Sequence, residues 1–511
     1  MVQCEGPTGA PLKAETFAKA LGLHNQIKWT HMTPTFYWHD YETFGVNPQV
    51  DRPAQFAGLR TDMDLNPVGE PLDLFCKMAP DYLPNPEACN ITEIWPTQLQ
   101  AQGICESDFI GRIHAELITP GTCTVGYNNL RFDDELTRAT LFRNLLDPYM
   151  REYANGNSRW DLIDVLRLAR AFRPEGLEWP LDANGQATFK LEYLTRANDI
   201  PHAEAHSALA DVRATVALAR KLKDAQPRLW DFALKTRSKR WVLQELNPGH
   251  PQPILHVSSL FKASLGCFSL VWPLGMHPSR QNEVLVWDLR HSPAPFMDLD
   301  QDELRCRIFA TGEDLETRGM MRVPVKSIHA NRCPIVTREL RLLTPEIAER
   351  YEIAVGEALR WSAELQQNSA FLERLREAYF SEFLPRSNDP DFSLYGGAFL
   401  SDHDRQLLGK VHQTGQAELG SLDLPFQDSR LSELLFRYRA RNWPQSLGPN
   451  DRIRWGAHCR ERWDNPPHPK LLSLAQFWDL LARCRTEHPE KAEGWRDLEA
   501  WVDTTQGSHQ T

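Results

Sequence analysis

The first strong pattern along the chain is the segment "TFYWHDYETFG", residues 35–45. Its aromatic and β-branched residues predict a β-strand. Successive side chains of a strand point to opposite faces, so Asp40 and Glu42 share one face. The apolar pattern continues up to Asp40, which places both carboxylates at the end of a buried strand. Like charges in that position are costly unless a positive group lies between them.

The segments that follow alternate between strand-like and helix-like spacing. We predict strands over 54–62 and 70–78, a Pro-rich loop, a helix over 107–118, a strand from 122 that becomes a helix near Asp133, and helices over 159–172, 189–200 and 205–222. The order β-β-β-α-β-α-α-α indicates an α/β unit, in which a mixed sheet is flanked by helices. This unit ends near residue 226.

The hydrophobic pattern changes after that point. Short β-like runs separated by Pro, Gly and Asn predict a small barrel or sheet, which a long helical stretch follows. Residues 384–393 have the composition of a linker, and the remainder is mostly helical. We therefore predict four parts: a mostly polar N-terminal extension over 1–30, the α/β domain over 31–226, the barrel domain over 227–384 and a helical domain over 385–511.

Composition narrows the class of protein. The 511 residues correspond to roughly three domains at about 150 residues each. No apolar run approaches the ~18–20 residues of a membrane span, and the first 30 residues lack the pattern of a secretory signal. Ten scattered cysteines without a C-x-x-C pair argue against zinc and for reduced thiols in the cytoplasm. A net charge of −11 excludes a uniformly basic surface but leaves room for a local basic groove.

Two further motifs carry acidic residues. Asn129 and Asp133 lie four apart at a strand-to-helix passage, and His206 and Asp211 lie five apart at the start of the helix predicted over 205–222. Each has a structural alternative, because an aspartate at a helix start is often only a cap. Five residues of ideal helix separate two side chains by about 140°. His206 can share a site with Asp211 only if it precedes the helix.

Taken together, the motifs predict a metal-dependent hydrolase. Four carboxylates would come from Asp40, Glu42, Asp133 and Asp211, and His206 titrates near neutrality. Hard oxygen ligands favour Mg²⁺ or Mn²⁺ over zinc. Two such ions ~4 Å apart can activate water and stabilise the leaving oxygen of a phosphodiester. A neighbouring histidine can remove the proton of that water.

This set of motifs resembles that of the DEDDh 3′→5′ exonucleases, which have a ribonuclease H-like fold. The longer segments "HDYETFG", "DRPAQFA", "GYNNLRFDDE", "NSRWDL" and "LLFRYRARN" are similar to the bacterial exonuclease I family. The resemblance covers nearly the whole chain from about residue 36. The residues before that point have no counterpart in the family pattern.

The resemblance implies a ribonuclease H-like mixed-sheet exonuclease domain, an SH3-like barrel domain and a helical C-terminal domain. It implies processive release of 5′-mononucleotides from the 3′ end of single-stranded DNA, in repair and recombination. The cofactor would be two Mg²⁺ ions, for which Mn²⁺ can substitute. By position, Asp40, Glu42, Asp133 and Asp211 match the metal-site acids and His206 the general base. Glu42 would also touch the sugar of the terminal nucleotide.

The resemblance also implies contacts to DNA and to a partner. The positions that match substrate contacts are Asn129, Arg138, Tyr149, Tyr153, Arg167 and Lys190. Lys190 stands where the family has arginine and loses its bidentate fork. Tyr153 stands where the family has tryptophan and offers a smaller stacking face. Arg173 matches a contact to the C-terminal tail of single-stranded-DNA-binding protein, with a surface or capping arginine as the alternative.

Two basic and aromatic clusters have two interpretations. "KTRSKRW" (235–241) and "RYRARNW" (437–443) could line an electrostatic groove for DNA, or they could be solvated helix faces. Two other functions remain open at this stage. One is an exoribonuclease with the same site, and the other is an inactive single-strand-binding scaffold. We expect a cytoplasmic monomer that does not bind membranes.

Overall fold

The computed structural model describes residues 33–202, 207–380 and 389–508. Its first part is built on a five-stranded sheet with the strand order β3-β2-β1-β4-β5. The strands are β1 (Thr35–Thr43), β2 (Pro53–Thr61), β3 (Leu72–Phe75), β4 (Thr122–Gly126) and β5 (Ser158–Asp161). Strand β1 pairs antiparallel with β2 and parallel with β4, so the predicted mixed sheet is confirmed.

Helices cover this sheet. They are α1 (Pro86–Thr92), α2 (Pro96–Gln102), α3 (Glu106–Leu117), α4 (Asp133–Arg143), α5 (Leu162–Phe172), α6 (Leu191–Ala197) and α7 (Ala208–Ala225). Two of them, α1 and α2, lie where the sequence predicts the Pro-rich loop and the residues just after it. Both start with proline at the first helical position, where the missing N–H costs nothing.

The predicted helix over 159–172 was wrong at its start. Its first residues form β5, and the helix begins at Leu162 after Asp161, whose side chain accepts the N–H of Ile163. Trp160 is fully buried against Trp230, with ring centroids 4.9 Å apart. Burying this aromatic residue on the sheet outweighs its helix-like spacing in the sequence. The helix predicted over 189–200 is also shorter, as α6.

The second part is a smaller antiparallel sheet with helices. After α8 (Pro227–Leu234) and α9 (Lys239–Leu246) come β6 (Ile254–Val257), β7 (Phe268–Met276), β8 (Glu283–Asp288), α10 (Gln301–Phe309), α11 (Gly312–Thr317), β9 (Val325–His329) and β10 (Ile335–Thr337). The strand order is β10-β6-β7-β8-β9. Helices α12 (Pro345–Arg350), α13 (Val355–Gln367) and α14 (Ser369–Ala378) follow.

The third part is helical, as predicted. Its elements are α15 (Asp402–Gln413), α16 (Ser429–Asn442), α17 (Pro449–Asp464), α18 (Leu474–Glu487) and α19 (Ala492–Ser508). No helix in the described ranges is long and apolar enough to cross a membrane.

The apolar cores run across the boundaries between these parts. Phe172 of α5 packs on Phe268 of β7 at 4.6 Å between ring centroids, and both belong to one continuous core. A second core joins Phe44, directly after β1, to Trp463 and Trp495 of the helical part. The first sheet is therefore held by side chains from both neighbouring parts.

A buried ion cluster, the Asp81 cluster, joins the first and third parts. It consists of Asp81, Asp389, Asp391, Arg52, Arg437, Arg441 and Arg462. Asp81 accepts Arg441 Nη2 at 2.6 Å and Arg462 Nη1 at 2.7 Å, and Arg437 Nη1 reaches Asp391 at 2.9 Å. One possible ligand atom from each of Asp81, Asp391 and His458 lies within 4.8 Å of the others, but the guanidinium groups already neutralise the carboxylates.

These buried ion pairs contradict both interpretations of the 437–443 cluster, and they show that part of the predicted linker is fixed in place. The arginines of "RYRARNW" are buried and paired with acids, so they are neither a DNA groove nor a solvated helix face. The described end of the predicted linker is also anchored, because Asp391 is only 1% exposed. In the other cluster, Lys235, Lys239 and Arg240 are exposed, and their role stays a prediction.

Candidate active site

The predicted acids converge at the carboxyl ends of β1 and β4. Asp40 and Glu42 lie on β1, and Asp211 lies in the first turn of α7, which packs across β1 and β2. One carboxylate oxygen from each of these three residues lies within 4.8 Å of the others. Asp133 begins α4, after the loop that follows β4. Its charge acts directly on Asp40.

Burial and mutual repulsion dominate the electrostatics of this acidic site. Burial raises the pKa of Asp40 well above its usual value, and the charges of Asp133 and Asp211 raise it further. Burial, followed by repulsion from Asp40 and Asp211, raises the pKa of Glu42 to about 9. Burial is also the main cause that raises the pKa of Asp133. Ionising all four acids together would require a compensating positive charge close to them.

This donor set fits divalent cations. All four groups are carboxylates, which are the ligands that Mg²⁺ and Mn²⁺ prefer. Asp133 is 4% exposed, and its Oδ1 atom has no hydrogen-bond partner among the described residues. A buried, unpartnered carboxylate oxygen beside other carboxylates is the arrangement that a bound cation would satisfy.

A loop between β4 and α4 brings Asp133 to this position. Asp161 accepts the backbone N–H groups of Asn128 at 2.9 Å and Leu130 at 3.3 Å. Gly126 allows the loop to approach, since a Cβ there would lie 2.7 Å from Cβ of Asn129. Asn129 is fully buried, and neither polar atom of its amide has a partner among the described residues. Buried polar atoms are normally paired, so a bound group that reached this amide would satisfy it.

A cavity of about 680 Å³ opens beside Asp211. Side chains from the α/β part and the barrel part line it, among them Arg167, Lys190, Phe189 and Phe261. Arg167 donates to Asp164 at 2.5 Å and stacks over the ring of Phe189 at 5.5 Å. The cavity therefore combines positive and aromatic side chains next to the acids, as a nucleotide site requires.

Models of known protein families match most of the chain. A model of an exonuclease domain matches residues 37–219, a model of the exonuclease I SH3-like domain matches 237–381, and a model of the exonuclease I C-terminal domain matches 388–506. Exodeoxyribonuclease I of Escherichia coli K12 is 44% identical over 429 residues, which are 84% of this chain and 89% of the relative.

This chain belongs to the exodeoxyribonuclease I family.

Solved structures agree with this assignment. A moderately thermophilic exonuclease I from Methylocaldum szegediense is 43% identical with a TM-score of 0.87, covering 93% of this chain and 100% of its own. E. coli exonuclease I in complex with a dA16 oligonucleotide is 40% identical with a TM-score of 0.88 and the same coverage. An ExoI/SSB-Ct complex, 39% identical, has a TM-score of 0.85 and again the same coverage.

The family assignment confirms several predictions. The three-part fold and the hydrolytic DNA exonuclease are confirmed by the family models and by the exodeoxyribonuclease I relatives. Exonuclease domains of this kind depend on metal, and one similar structure is a zinc-bound form of the E. coli ExoI–ssDNA complex. The assigned site residues and the domain limits remain predictions for this family member.

The other predicted DNA contacts of this exodeoxyribonuclease I family member lie apart from the cavity, near the helical domain. The Arg138 side chain is 7% exposed and donates to Glu152 through Nε at 2.7 Å and to Glu135 through Nη1 at 2.8 Å. It also stacks over Tyr149. Tyr153 is 65% exposed. Contact with a phosphate would require Arg138 to share its donors, whereas both tyrosines can offer ring faces.

Three further predicted residues are Lys190, Arg173 and His206. Lys190 is exposed at the start of α6 and lines the cavity. Arg173 is exposed at the end of α5, and its Nη1 donates to the carbonyl of Phe172 at 2.5 Å. The predicted general base, His206, lies outside the described residues.

Sequence reasoning missed two residues that support the acids. Nε2 of the His202 ring donates to Asp211 Oδ1, and Nδ1 of the same ring lies 3.0 Å from the hydroxyl of Thr195. The available signal was a second histidine, four residues before His206. Asp161 was visible only as part of "NSRWDL", and nothing local in the sequence indicated that it holds the loop of Asn129.

Proposed function

We propose that this protein is a single-strand-specific 3′→5′ exodeoxyribonuclease that releases 5′-mononucleotides in DNA repair and recombination. The observation that carries the proposal is the meeting of Asp40, Glu42 and Asp211 within 4.8 Å, beside Asp133 and an open cavity. Membership of the exodeoxyribonuclease I family and the DNA-bound structure of its E. coli relative support it.

The chemistry assigns each group a role. Two Mg²⁺ ions, or Mn²⁺ in their place, would be held by Asp40, Glu42, Asp133 and Asp211 and would supply Lewis-acid activation of water and of the leaving oxygen. His206 takes the proton of the attacking water as general base. Glu42, next to the cavity, contacts the sugar of the terminal nucleotide.

The remaining residues hold the strand. Arg167 and Lys190 line the cavity next to Asp211, where their charges face the phosphates of the terminal nucleotides. Asn129 supplies an amide whose two polar atoms have no partner among the described residues. Arg138, Tyr149 and Tyr153 extend the path toward the helical domain, with ring faces on which bases stack regardless of sequence.

We also propose a partner and a setting. Exposed Arg173 receives the acidic tail of single-stranded-DNA-binding protein, a role that the ExoI/SSB-Ct complex of a similar protein supports. The protein acts as a monomer in the cytoplasm. We place its domain limits at 226/227 and 384/385, with the extension over 1–30 outside the described residues.

The test is digestion of 3′-labelled and 5′-labelled single-stranded DNA, with Mg²⁺ and with EDTA. We expect immediate loss of the 3′ label as mononucleotide, progressive shortening of the 5′-labelled strand, and no reaction in EDTA. Asp402→Asn is the matched control for Asp211→Asn, because Asp402 is an exposed helix-start aspartate in the helical part. Preferential digestion of a matched RNA strand would refute the DNA assignment, and retention of DNA without cleavage would indicate a binding protein.

A further inference from the structure

Three consecutive acids occupy the first turn of α4, and each faces a different environment. Asp133 faces the acidic site. Asp134 is fully buried between Arg151 Nη2 at 2.8 Å and Arg159 Nη1 at 2.9 Å. Glu135 is 5% exposed and faces the junction with the other two parts of the molecule. One helical turn therefore carries a proposed metal ligand, Asp133, and two buried acids that fix the turn: Asp134 in the domain interior and Glu135 at the junction between domains.

The carboxylate of Glu135 accepts hydrogen bonds from all three parts. Arg138 of the same helix donates from Nη1 at 2.8 Å. Arg332, in the turn between β9 and β10 of the barrel, donates from Nη2 at 3.0 Å. Tyr395, in the helical part, donates its hydroxyl at 2.5 Å. Charge-assisted hydrogen bonds of this kind are stronger than neutral ones and fix direction as well as distance.

The barrel reaches the same helical turn by a second route. Arg159, which pairs with Asp134, donates from Nη2 to the carbonyl of Asn331 at 3.0 Å. Sγ of Cys333 donates to the carbonyl oxygen of Arg159, also at 3.0 Å. The barrel turn over 331–333 is thus connected to both residues that follow Asp133.

We propose that Glu135 is a positioning residue. When Arg332 of the barrel and Tyr395 of the helical domain donate to it, Glu135 holds the first turn of α4, and with it Asp133, in the position that metal binding requires. The proposal rests on the proposed function of the acidic site. A helical turn is stiff, so a shift of Glu135 toward or away from its donors moves Asp133 as well. Groups that orient metal ligands without touching the metal typically affect metal affinity or activity by about 10- to 100-fold when removed.

The experiment compares Glu135→Gln and Arg332→Met with wild-type protein. Glu135→Gln keeps the shape of the side chain and removes its charge, and Arg332→Met removes only the barrel donor. Arg341→Met is the matched control, because Arg341 is an exposed arginine of the same domain that pairs with the neighbouring surface acid Glu339. Two quantities are measured: the Mg²⁺ concentration that half-saturates hydrolysis of single-stranded DNA, and the rise in melting temperature that Mg²⁺ produces.

We expect Glu135→Gln to raise the half-saturating Mg²⁺ concentration about 10-fold, Arg332→Met to raise it by a smaller factor, and Arg341→Met to leave it unchanged. The melting-temperature response should shift to higher Mg²⁺ in the same order. Unchanged Mg²⁺ dependence in Glu135→Gln and Arg332→Met, even with lower melting temperatures, would overturn the proposal and leave a structural role. A change confined to KM for DNA would point to Arg138 and also overturn it.

The two proposals fail in distinguishable ways. If the wild-type protein does not hydrolyse DNA, the proposed function is wrong. The Mg²⁺-dependent melting temperature still tests Glu135 in that case, because it reports metal binding without turnover.

Discussion

Removing one negative charge from the Asp81 cluster should weaken the attachment of the helical domain. Asp81 is 3% exposed and accepts hydrogen bonds from Arg52 Nη2 at 3.4 Å, Arg441 Nη2 at 2.6 Å and Arg462 Nη1 at 2.7 Å. The substitution Asp81→Asn keeps the shape and one acceptor oxygen. It leaves three buried guanidinium groups to share the carboxylates that remain.

The magnitude follows from burial. Breaking a buried ion pair by removing one partner typically costs about 3–5 kcal/mol, because the other charge stays desolvated and unpaired. Asp389, Asp391 and Glu106 lie within reach of the same arginines and offset part of this loss. We therefore expect the lower end of the range, about 3 kcal/mol in the free energy of unfolding.

The assay is urea unfolding followed by tryptophan fluorescence, since Trp455 and Trp463 lie in the helical domain. Glu339→Gln is the control, because Glu339 pairs with Arg341 at an exposed site where no measurable change is expected. A loss below about 1 kcal/mol for Asp81→Asn would refute the reasoning. It would show that the neighbouring acids neutralise the three arginines without Asp81.

The remaining predictions concern the active site and pH. Asp40→Asn or Asp211→Asn should abolish hydrolysis yet retain DNA in a filter-binding assay, and in EDTA each should melt above wild type because repulsion among the acids is relieved; near-native turnover would contradict the metal-site assignment. His206→Ala should slow turnover by roughly 10²- to 10⁴-fold in a single-turnover assay, and an unchanged rate would remove it from the mechanism. Burial lowers the pKa of His114 to about 3 and of His256 to about 4. At these two sites the unfolded chain binds more protons than the folded protein below pH ~6.5, so both histidines should lower stability as pH drops from 6.5 toward 4, while the raised pKa values of Asp40, Glu42 and Asp133 act in the opposite direction. The urea midpoint of His256→Gln should therefore depend less on pH over that range than that of wild type, and an equal dependence would contradict this.

The elements that carry the candidate acids were predictable because their determinants are local. The aromatic run before Asp40 fixes the strand, and the two-residue period of a strand then places Glu42 on the same face. The passage from strand to helix at Asp133 is also visible in a short window of sequence. Whether the motifs meet could not be read from spacing alone, and here the family resemblance supplied the missing step.

The interdomain contacts were not predictable, because they join residues that are far apart in the sequence. Arg441 lies 360 residues from Asp81, and no local pattern distinguishes it from an arginine on a solvated helix face. The same holds for Glu135, which looks like an ordinary acidic residue at a helix start. Burial of a charge depends on the approach of distant segments, which the hydrophobic period of one helix does not encode.

The core that joins Phe44 to Trp463 and Trp495 limits how modular this protein can be. Phe44 is 1% exposed and lies two residues after Glu42. Excising the nuclease domain would leave this aromatic side chain in water at the end of β1, the strand that carries Asp40 and Glu42. Three family models divide the chain, yet the shared core makes the nuclease and helical domains one structural unit. A substitution at Phe44 therefore also changes the packing around Trp463 and Trp495, which come from the other end of the chain.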